Sequence, residues 1–239
     1  MIGDERLQQL AHFQTRLGYT FRDVALLNSA LTHASYAYEV DAGRGHYERL
    51  EFLGDAVLDL IVSTYLYTAY PAWSEGQLSK VRARLVSESS LAELARQLEL
   101  GRFLLLGRGE AQSGGRDKDS LLAAAFEAVF AALYLDGGLE TAQRVFWHHF
   151  RPTLQQRLHA AKVYDYKGLL QEYALHTFGR LPVYRVVREE GPPHKKTFYV
   201  QLTLDEAHTC IGVGRSKKAA EQHAAKQLFE RLHPEHGSP

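Results

Sequence analysis

Three acidic residues recur at helical intervals in the segment Glu48-Arg-Leu-Glu51-Phe-Leu-Gly-Asp55. Positions i, i+3 and i+7 lie on one face of a helix, because an α-helix has 3.6 residues per turn. The apolar residues that follow predict a helix that is largely buried, so three stacked like charges need compensation. A hard divalent cation is one solution, since it takes oxygen ligands and can sit beside a phosphate substrate. A solvated acidic stripe with a few ion pairs is the other, and the spacing alone favours this second solution.

Glu127 is the only charged residue in the apolar run from Leu121 to Leu135. The run is too short to span a bilayer, so it predicts a buried helix and argues against a membrane role. An ionised carboxylate in such a helix must be protonated, paired with a cation or bound to a metal, because its burial alone is costly. Ion pairing and metal ligation are equally good explanations on these residues alone.

The elements that must position these acids are helical up to about residue 160, where apolar residues recur every three to four positions. No convincing strand is present in this part. The polar, glycine-rich stretch from Gly107 to Asp119 predicts an exposed loop between two helical regions.

The pattern changes after residue 160. A helix from Tyr166 to Phe178 is predicted first, then three strands that begin near Val183, Thr197 and Thr209, rich in β-branched and aromatic residues. Ser216 is the expected N-cap of a last helix, which runs to about Leu232. These boundaries predict four parts of the chain: a helical domain (1–160), a short linker (161–165), an α+β domain of αβββα order (166–234) and a tail (235–239).

The composition is that of an ordinary globular protein, with 239 residues, 45% hydrophobic residues, 23% charged residues and a formal net charge of zero. The N-terminus carries acids and no following apolar stretch, so no secretory signal is expected. Cys210 is the only cysteine. A single cysteine excludes an internal disulfide and fits a cytoplasmic location.

The segment from Glu48 to Asp55 resembles the characteristic motif of the ribonuclease III family. Further pieces in family order are Leu31-Thr-His33, Glu75-Gly76, Gly107-Arg-Gly-Glu110 and Tyr134-Leu-Asp136. The resemblance implies an all-α nuclease domain that forms a homodimer and cuts double-stranded RNA. It also implies a role in the maturation of rRNA, mRNA and tRNA, with products that carry 5′-phosphate and 3′-hydroxyl ends.

Carried over by position, the resemblance makes Glu51, Asp55 and Glu127 ligands of Mg²⁺, with Mn²⁺ as a substitute. Asp55 and Glu127 are the expected catalytic residues, and Glu48 and Glu75 are the outer members of the acidic cluster. Metal-activated water would attack the phosphodiester, so the chemistry needs no protein nucleophile.

One expected ligand is missing. The family pattern has an aspartate three residues before the glutamate that matches Glu127, and this chain has Ala124 there. The two acids would reach the same metal, so Ala124 removes one oxygen ligand and one negative charge. Natural divergence and deliberate inactivation both explain the alanine, and the preserved remainder of the site favours inactivation. The sequence predicts a chain that binds duplex RNA and cuts it poorly.

The second domain resembles a double-stranded-RNA-binding domain, which recognises two successive minor grooves and the phosphates between them. The expected minor-groove residues are Gln171 and Glu172 on the first helix and His194 at the tip of the Gly-Pro-Pro turn, and Lys195 is a further expected RNA-binding residue. Lys217 and Lys218 lie in the first turn of the last helix, where the helix dipole disfavours cations. Phosphate binding explains their position better than solvation does.

The alternative function is a duplex-RNA-binding protein without cleavage activity, which Ala124 permits. A third hypothesis, a protein-binding αβββα module on a helical scaffold, predicts no salt-sensitive affinity for RNA. Phe198 and Tyr199 are expected in the core of the second domain, because a duplex offers no free bases for stacking. Phe52, beside the acids, is the candidate dimer-interface residue.

Overall fold

The computed structural model describes residues 2–40, 45–71, 73–163, 166–192 and 195–232. The chain divides into two compact units, Met1–Leu158 and His159–Pro239. The division lies close to residue 160, where the helical domain is predicted to end. A helix continues to Val163, so the predicted linker at 161–165 begins inside regular structure.

The first unit is built from helices, and their bounds are α1 Asp4–Leu17, α2 Val24–Ala30, α3 Ala34–Val40, α4 Glu48–Ala69, α5 Glu75–Leu85, α6 Glu88–Gln97, α7 Arg108–Gln112 and α8 Asp119–Val163. Two short 3₁₀ turns, Leu100–Phe103 and Gly115–Asp117, join them. Extended pairing in the described part of this unit is limited to an isolated bridge between Thr32 and Leu105. The all-α prediction for this unit is therefore confirmed.

Local sequence sets several of the helix ends. Ser74 and Gln77 form a reciprocal capping box at the start of α5, and the Ser87 side chain accepts a hydrogen bond from the Ser90 backbone at the start of α6. Gly18 ends α1 in the left-handed conformation at φ 76°, which a glycine adopts without steric cost.

Helix α8 supplies the centre of the first unit. Phe126, Phe130 and most of the alanines around them are fully buried, as the apolar run predicts, but Leu133 is the last buried residue of that run and Leu135 is 53% exposed. Gly138, at φ 79° and ψ 173°, breaks the helical path just beyond. By length and composition alone, Glu48–Ala69 and Asp119–Leu154 could cross a membrane. Within the first unit both helices bury apolar residues, such as Ile61 of α4 and Phe130 of α8.

The prediction of an exposed loop from Gly107 to Asp119 is wrong in part. The segment contains α7 and the second 3₁₀ turn, and hydrogen bonds hold both ends. The Gly107 backbone N–H donates to Ser35 Oγ at 2.9 Å, and Arg116 Nη1 donates to the carbonyls of Gly101 and Leu104, each at 2.8 Å. Glycine content indicated turns here but could not reveal these distant partners.

The second unit has the predicted αβββα order, with α9 Tyr166–Phe178, β1 Val183–Glu190, β2 Thr197–Thr203, β3 Thr209–Gly214 and α10 Lys217–Leu232. The strands form an antiparallel sheet in the order β1-β2-β3. Helices α9 and α10 cover one face of the sheet, and their shared core includes Leu170, Leu202 and Leu228. A Cβ at Gly212 would lie 2.1 Å from the Ala220 carbonyl oxygen, so the glycine allows β3 and α10 to touch.

Candidate active site and candidate duplex RNA interface

The acids of α4 begin at its first turn. Glu48 and Glu51 lie there and Asp55 follows one turn later. Burial raises the pKa of Glu51, and the charges of Glu48 and Asp55 raise it further. The helix therefore gathers negative charge on one face, as the spacing predicts, at an unfavourable electrostatic energy.

Gly54 brings this face against α8. A Cβ built on Gly54 would lie 1.9 Å from the backbone oxygen of Glu127 and 2.3 Å from its carbonyl carbon. Only a residue without a side chain permits such close contact between the two helix backbones. The glycine thus sets the separation between the acids of α4 and Glu127.

Replacing Gly54 by alanine is expected to destabilise the first unit by roughly 2–3 kcal/mol, because the new methyl group meets backbone that cannot rotate away. Urea unfolding of the full chain measures the change. Gly76→Ala is the matched control, since nothing lies within 4 Å of a Cβ at that helical glycine. Equal stabilities for the two variants would contradict the close contact.

Among the acids of the site, Glu127 has the pKa that departs most from its ordinary value. Its pKa is raised to about 7, first by burial and then by the charges of Asp55, Glu51 and Asp59. Among the residues that the structure describes, no cation pairs with it and no hydrogen-bond donor reaches it. Of the three expected explanations for this buried acid, ion pairing is therefore not supported, which leaves protonation or a bound metal.

Asp59 is a member of this acidic group that the sequence analysis missed. It lies one turn beyond Asp55 on α4, and its charge raises the pKa of Glu127. Arg82 of α5 pairs with Asp59 at 3.6 Å, between Nε and Oδ2, and donates to Ser63 Oγ at 3.3 Å. The i+4 spacing from Asp55 could have identified Asp59. The nearby cation therefore pairs with Asp59 and leaves Glu127 uncompensated.

Position 124 lies one helical turn before Glu127 and offers a methyl group in place of an oxygen. Across the described ranges, no three His, Cys, Asp or Glu side chains are close enough to form a ready metal cage. Glu51, Asp55 and Glu127 are nevertheless near enough for their charges to act on one another, and all three are carboxylates. Such a set fits a hard divalent cation in its chemistry, but position 124 contributes no ligand.

The two predicted outer acids differ in their surroundings. Glu48 Oε2 lies 3.7 Å from His46 Nδ1, and its charge acts on Glu51. Glu75 accepts a hydrogen bond from Ser79 Oγ at 2.7 Å at the start of α5, and its charge is not among those acting on Glu127. Within one chain, the structure does not bring Glu75 to the group around Glu127, so its outer-cluster role stays a prediction.

Glu110 of α7 is a second acid to which the sequence analysis gave no role. It lies 3.6 Å from Lys118 Nζ. Its charge and that of Glu48 both oppose the lowering of the His33 pKa, which burial causes. The α7 segment therefore places a second acid, in addition to Glu48, within electrostatic reach of His33.

The second unit presents its lysines at the start of α10. Ser216 Oγ accepts a hydrogen bond from the Ala219 backbone at 3.1 Å, which confirms the predicted N-cap. Lys217 and Lys218 follow in the first turn and are exposed. Lys217 Nζ lies 5.9 Å from the centre of the Phe198 ring. Two ammonium groups and the N–H groups of a helix end thus lie together at an exposed turn, where an anion could bind, although Lys217 Nζ also lies 3.8 Å from Glu189 Oε1.

The other predicted RNA contacts lie on α9 and on the β1–β2 turn. Gln171 is half-buried and Glu172 is exposed on α9, while Lys195 is exposed in the turn. Gly191 shapes that turn at φ 91°, and a Cβ there would lie 2.6 Å from the Lys195 carbonyl oxygen. His194 lies outside the described residues.

The expectation that Phe198 and Tyr199 lie in the core is wrong. Both are only partly buried, and neither belongs to the core cluster of the second unit. Tyr199 donates its hydroxyl hydrogen to Glu190 Oε2 at 2.7 Å, and the Arg188 guanidinium lies 5.4 Å from its ring centre. The pattern of alternation marked β2 correctly, but it could not show that polar groups surround these rings.

Comparison with known proteins agrees with both units. A family model described as "Ribonuclease-III-like" matches residues 23–154, and one described as "Double-stranded RNA binding motif" matches residues 166–232. Ribonuclease 3 of Pseudothermotoga lettingae is 45% identical over 235 residues, covering 97% of this chain and 99% of the relative. Ribonuclease 3 of Oleidesulfovibrio alaskensis is 48% identical over 222 residues, covering 93% and 97%. The solved nuclease domain of ribonuclease III from Campylobacter jejuni is 42% identical with a TM-score of 0.56, covering 59% of this chain and 95% of that domain.

The fold and these matches define a helical nuclease followed by a double-stranded-RNA-binding domain. The chain belongs to the ribonuclease III family and is an endoribonuclease of that type.

Proposed function

We propose that the chain hydrolyses phosphodiesters in double-stranded RNA with the help of Mg²⁺, for which Mn²⁺ can substitute. The observation that carries this proposal is the state of Glu127. Burial and the charges of Asp55 and Glu51 raise its pKa to about 7, and it has no cationic partner among the described residues. A protein gains nothing in stability from such an arrangement. A divalent cation would compensate the charges and supply a function for them.

In the proposed mechanism Glu51, Asp55 and Glu127 would hold the metal, and Asp55 would also orient the attacking water. When bound, Mg²⁺ would lower the pKa of water and stabilise charge on the phosphate and the leaving 3′ oxygen. Attack of water on the phosphorus breaks the bond from phosphorus to the 3′ oxygen, which takes up a proton, so that one product ends in a 3′-hydroxyl and the other in a 5′-phosphate. Gly54 keeps the carboxylates of α4 and α8 in reach of one another.

Ala124 limits this activity in our proposal, because it contributes no oxygen to a site that otherwise has three carboxylates. A chain of this sequence then binds duplex RNA and cleaves it slowly. The same alanine favours the second candidate function, a duplex-RNA-binding protein that does not cut.

We also propose that two copies pair through the nuclease unit. Helix α4, which carries the acids, also exposes large apolar residues, namely Phe52 (83% exposed), Leu60 (50%) and Tyr67 (76%). The solved nuclease domain from Campylobacter jejuni is described as flexible in a region involved in dimer formation. A dimer of this chain would bury these side chains and provide one acidic site for each strand of a duplex. We place this activity in the cytoplasm, in the maturation of rRNA, mRNA and tRNA.

The function is tested by incubating the full chain with long double-stranded RNA and with each of its separate strands, in Mg²⁺ and in EDTA. The proposal predicts slow cuts in the duplex alone, dependent on Mg²⁺, with ligatable 5′-phosphate ends. Cleavage of the single strands at the same rate, or cleavage in EDTA, would contradict it.

The double substitution Lys217→Ala and Lys218→Ala is expected to weaken duplex RNA binding roughly tenfold at moderate salt, since two charge contacts to phosphate are lost. The dependence of log affinity on log salt should flatten by about 0.9 for each phosphate contact removed. Filter binding in EDTA over a range of salt measures both quantities. Lys226→Ala is the control, because Lys226 lies on the same helix and pairs with Glu230. Unchanged binding by the double variant would refute the phosphate role.

A further inference from the structure

Glu189, near the end of β1, lies between two lysines of the second unit. Its Oε2 accepts a hydrogen bond from Lys196 Nζ at 2.8 Å, and its Oε1 lies 3.8 Å from Lys217 Nζ. The hydrogen bond from Lys196, followed by the charges of Lys196 and Lys217, holds the pKa of Glu189 below its ordinary value. The carboxylate is thus ionised and shared by two ammonium groups from different elements.

This arrangement places an anion where the phosphates of a duplex are expected to bind. Lys217 begins α10, where its ammonium group and the helix-end N–H groups attract phosphate. In the free protein, however, Lys217 already has a carboxylate partner. A phosphate that approaches Lys217 meets the negative charge of Glu189 at the same time, and the three side chains together carry a net charge of only +1.

We propose that Glu189 is an internal counter-ion of Lys196 and Lys217, which sets the affinity for RNA and its salt dependence below the values that the lysines alone would give. The inference rests on the proposed duplex RNA binding through Lys217. Glu189 acts through the lysines and is a positioning residue rather than a contact to RNA. When phosphate engages Lys217, Glu189 loses a partner and takes up a cation from solution, which offsets part of the counter-ion release that drives binding.

The test is the affinity of the full-length Glu189→Gln variant for double-stranded RNA, measured in EDTA from low to high salt. We expect binding about two- to fivefold tighter at low salt, a difference that shrinks as salt screens the charges. The plot of log affinity against log salt should be steeper by up to about one unit. A purely structural role for Glu189 would instead weaken binding and lower the thermal unfolding temperature.

Glu206→Gln is the matched control, because it removes the same charge from an exposed position in the turn between β2 and β3, at the opposite end of the sheet. Equal or weaker binding by Glu189→Gln, or the same gain from Glu206→Gln, would overturn the inference. Lys217→Ala separates this outcome from failure of the proposed function. If Lys217→Ala weakens binding and Glu189→Gln does not tighten it, only the inference fails, whereas no loss with Lys217→Ala refutes the phosphate role itself.

Discussion

Replacing Ala124 by aspartate is expected to raise the rate of duplex RNA cleavage by roughly 10–100-fold, because it would add a fourth carboxylate to the proposed metal site. Position 124 lies one turn before Glu127 on α8, so an aspartate there projects beside Glu127. The gain is measured as a single-turnover rate at high Mg²⁺, with the enzyme in excess over labelled duplex.

Ala124→Asn provides the control for this gain. Asparagine has nearly the same shape and offers one oxygen but no charge, so it should recover much less activity than aspartate. RNA binding in EDTA should be the same for all three proteins, since position 124 belongs to the nuclease unit. Equal rates for the original chain and Ala124→Asp would show that position 124 is not a ligand position.

Glu127→Gln is expected to have the second large effect, a loss of cleavage of about 100-fold or more in the Ala124→Asp background. The substitution removes a charged ligand, and a metal of this kind contributes several kcal/mol to stabilising the transition state. Any cleavage that survives must then come from the remaining carboxylates.

The same substitution should stabilise the metal-free protein at neutral pH. Glu127 has a pKa of about 7 in the folded chain against an ordinary value of 4.5. A raised pKa means that its contribution to stability is full below pH 4.5 and is lost as the pH rises through about 7. Glutamine cannot ionise, so the variant avoids this loss. We expect a gain of about 1 kcal/mol near pH 8, reduced from the full shift because the group keeps some contact with solvent.

Urea unfolding in EDTA at several pH values between about 5 and 8 tests this expectation. The gap in unfolding free energy between Glu127→Gln and the original chain should widen as the pH rises. Glu140→Gln, an exposed position further along the same helix, should show no such widening. If the difference in unfolding free energy stayed constant with pH, ionisation of Glu127 would not destabilise the folded chain.

Much of the fold followed from patterns in the sequence. The spacing of the apolar residues changes near residue 160, which predicts the change from helices to a mixed domain. The bounds of α9 and the positions of β1–β3 match the predicted ones, because β-branched runs and turn residues alternate in this part of the chain. The motif from Glu48 to Asp55 and the isolated Glu127 also predicted where like charges and burial would act on carboxylates, and the raised pKa values of Glu51 and Glu127 agree with this. These features are local, so a single chain reveals them.

What could not be predicted depends on contacts between distant segments. In the sequence Gly54 is an ordinary glycine of a predicted helix, and only the structure shows that the backbone of Glu127 in α8 lies against it. The spacing could place Asp59 on the acidic face, but not show that its charge acts on Glu127 while Arg82 of α5 pairs with it. Glu189 gave no sign in the sequence that it joins lysines from two other segments, Lys196 before β2 and Lys217 of α10.

The most direct test of a carboxylate metal site that is limited by Ala124 is a Mg²⁺ titration of cleavage by the original chain and by Ala124→Asp. We predict that the aspartate variant reaches its maximal rate at a lower Mg²⁺ concentration and that this rate is higher, while both proteins bind the duplex equally well. Superimposable titration curves, or cleavage by neither protein at any Mg²⁺ concentration, would contradict the proposed site.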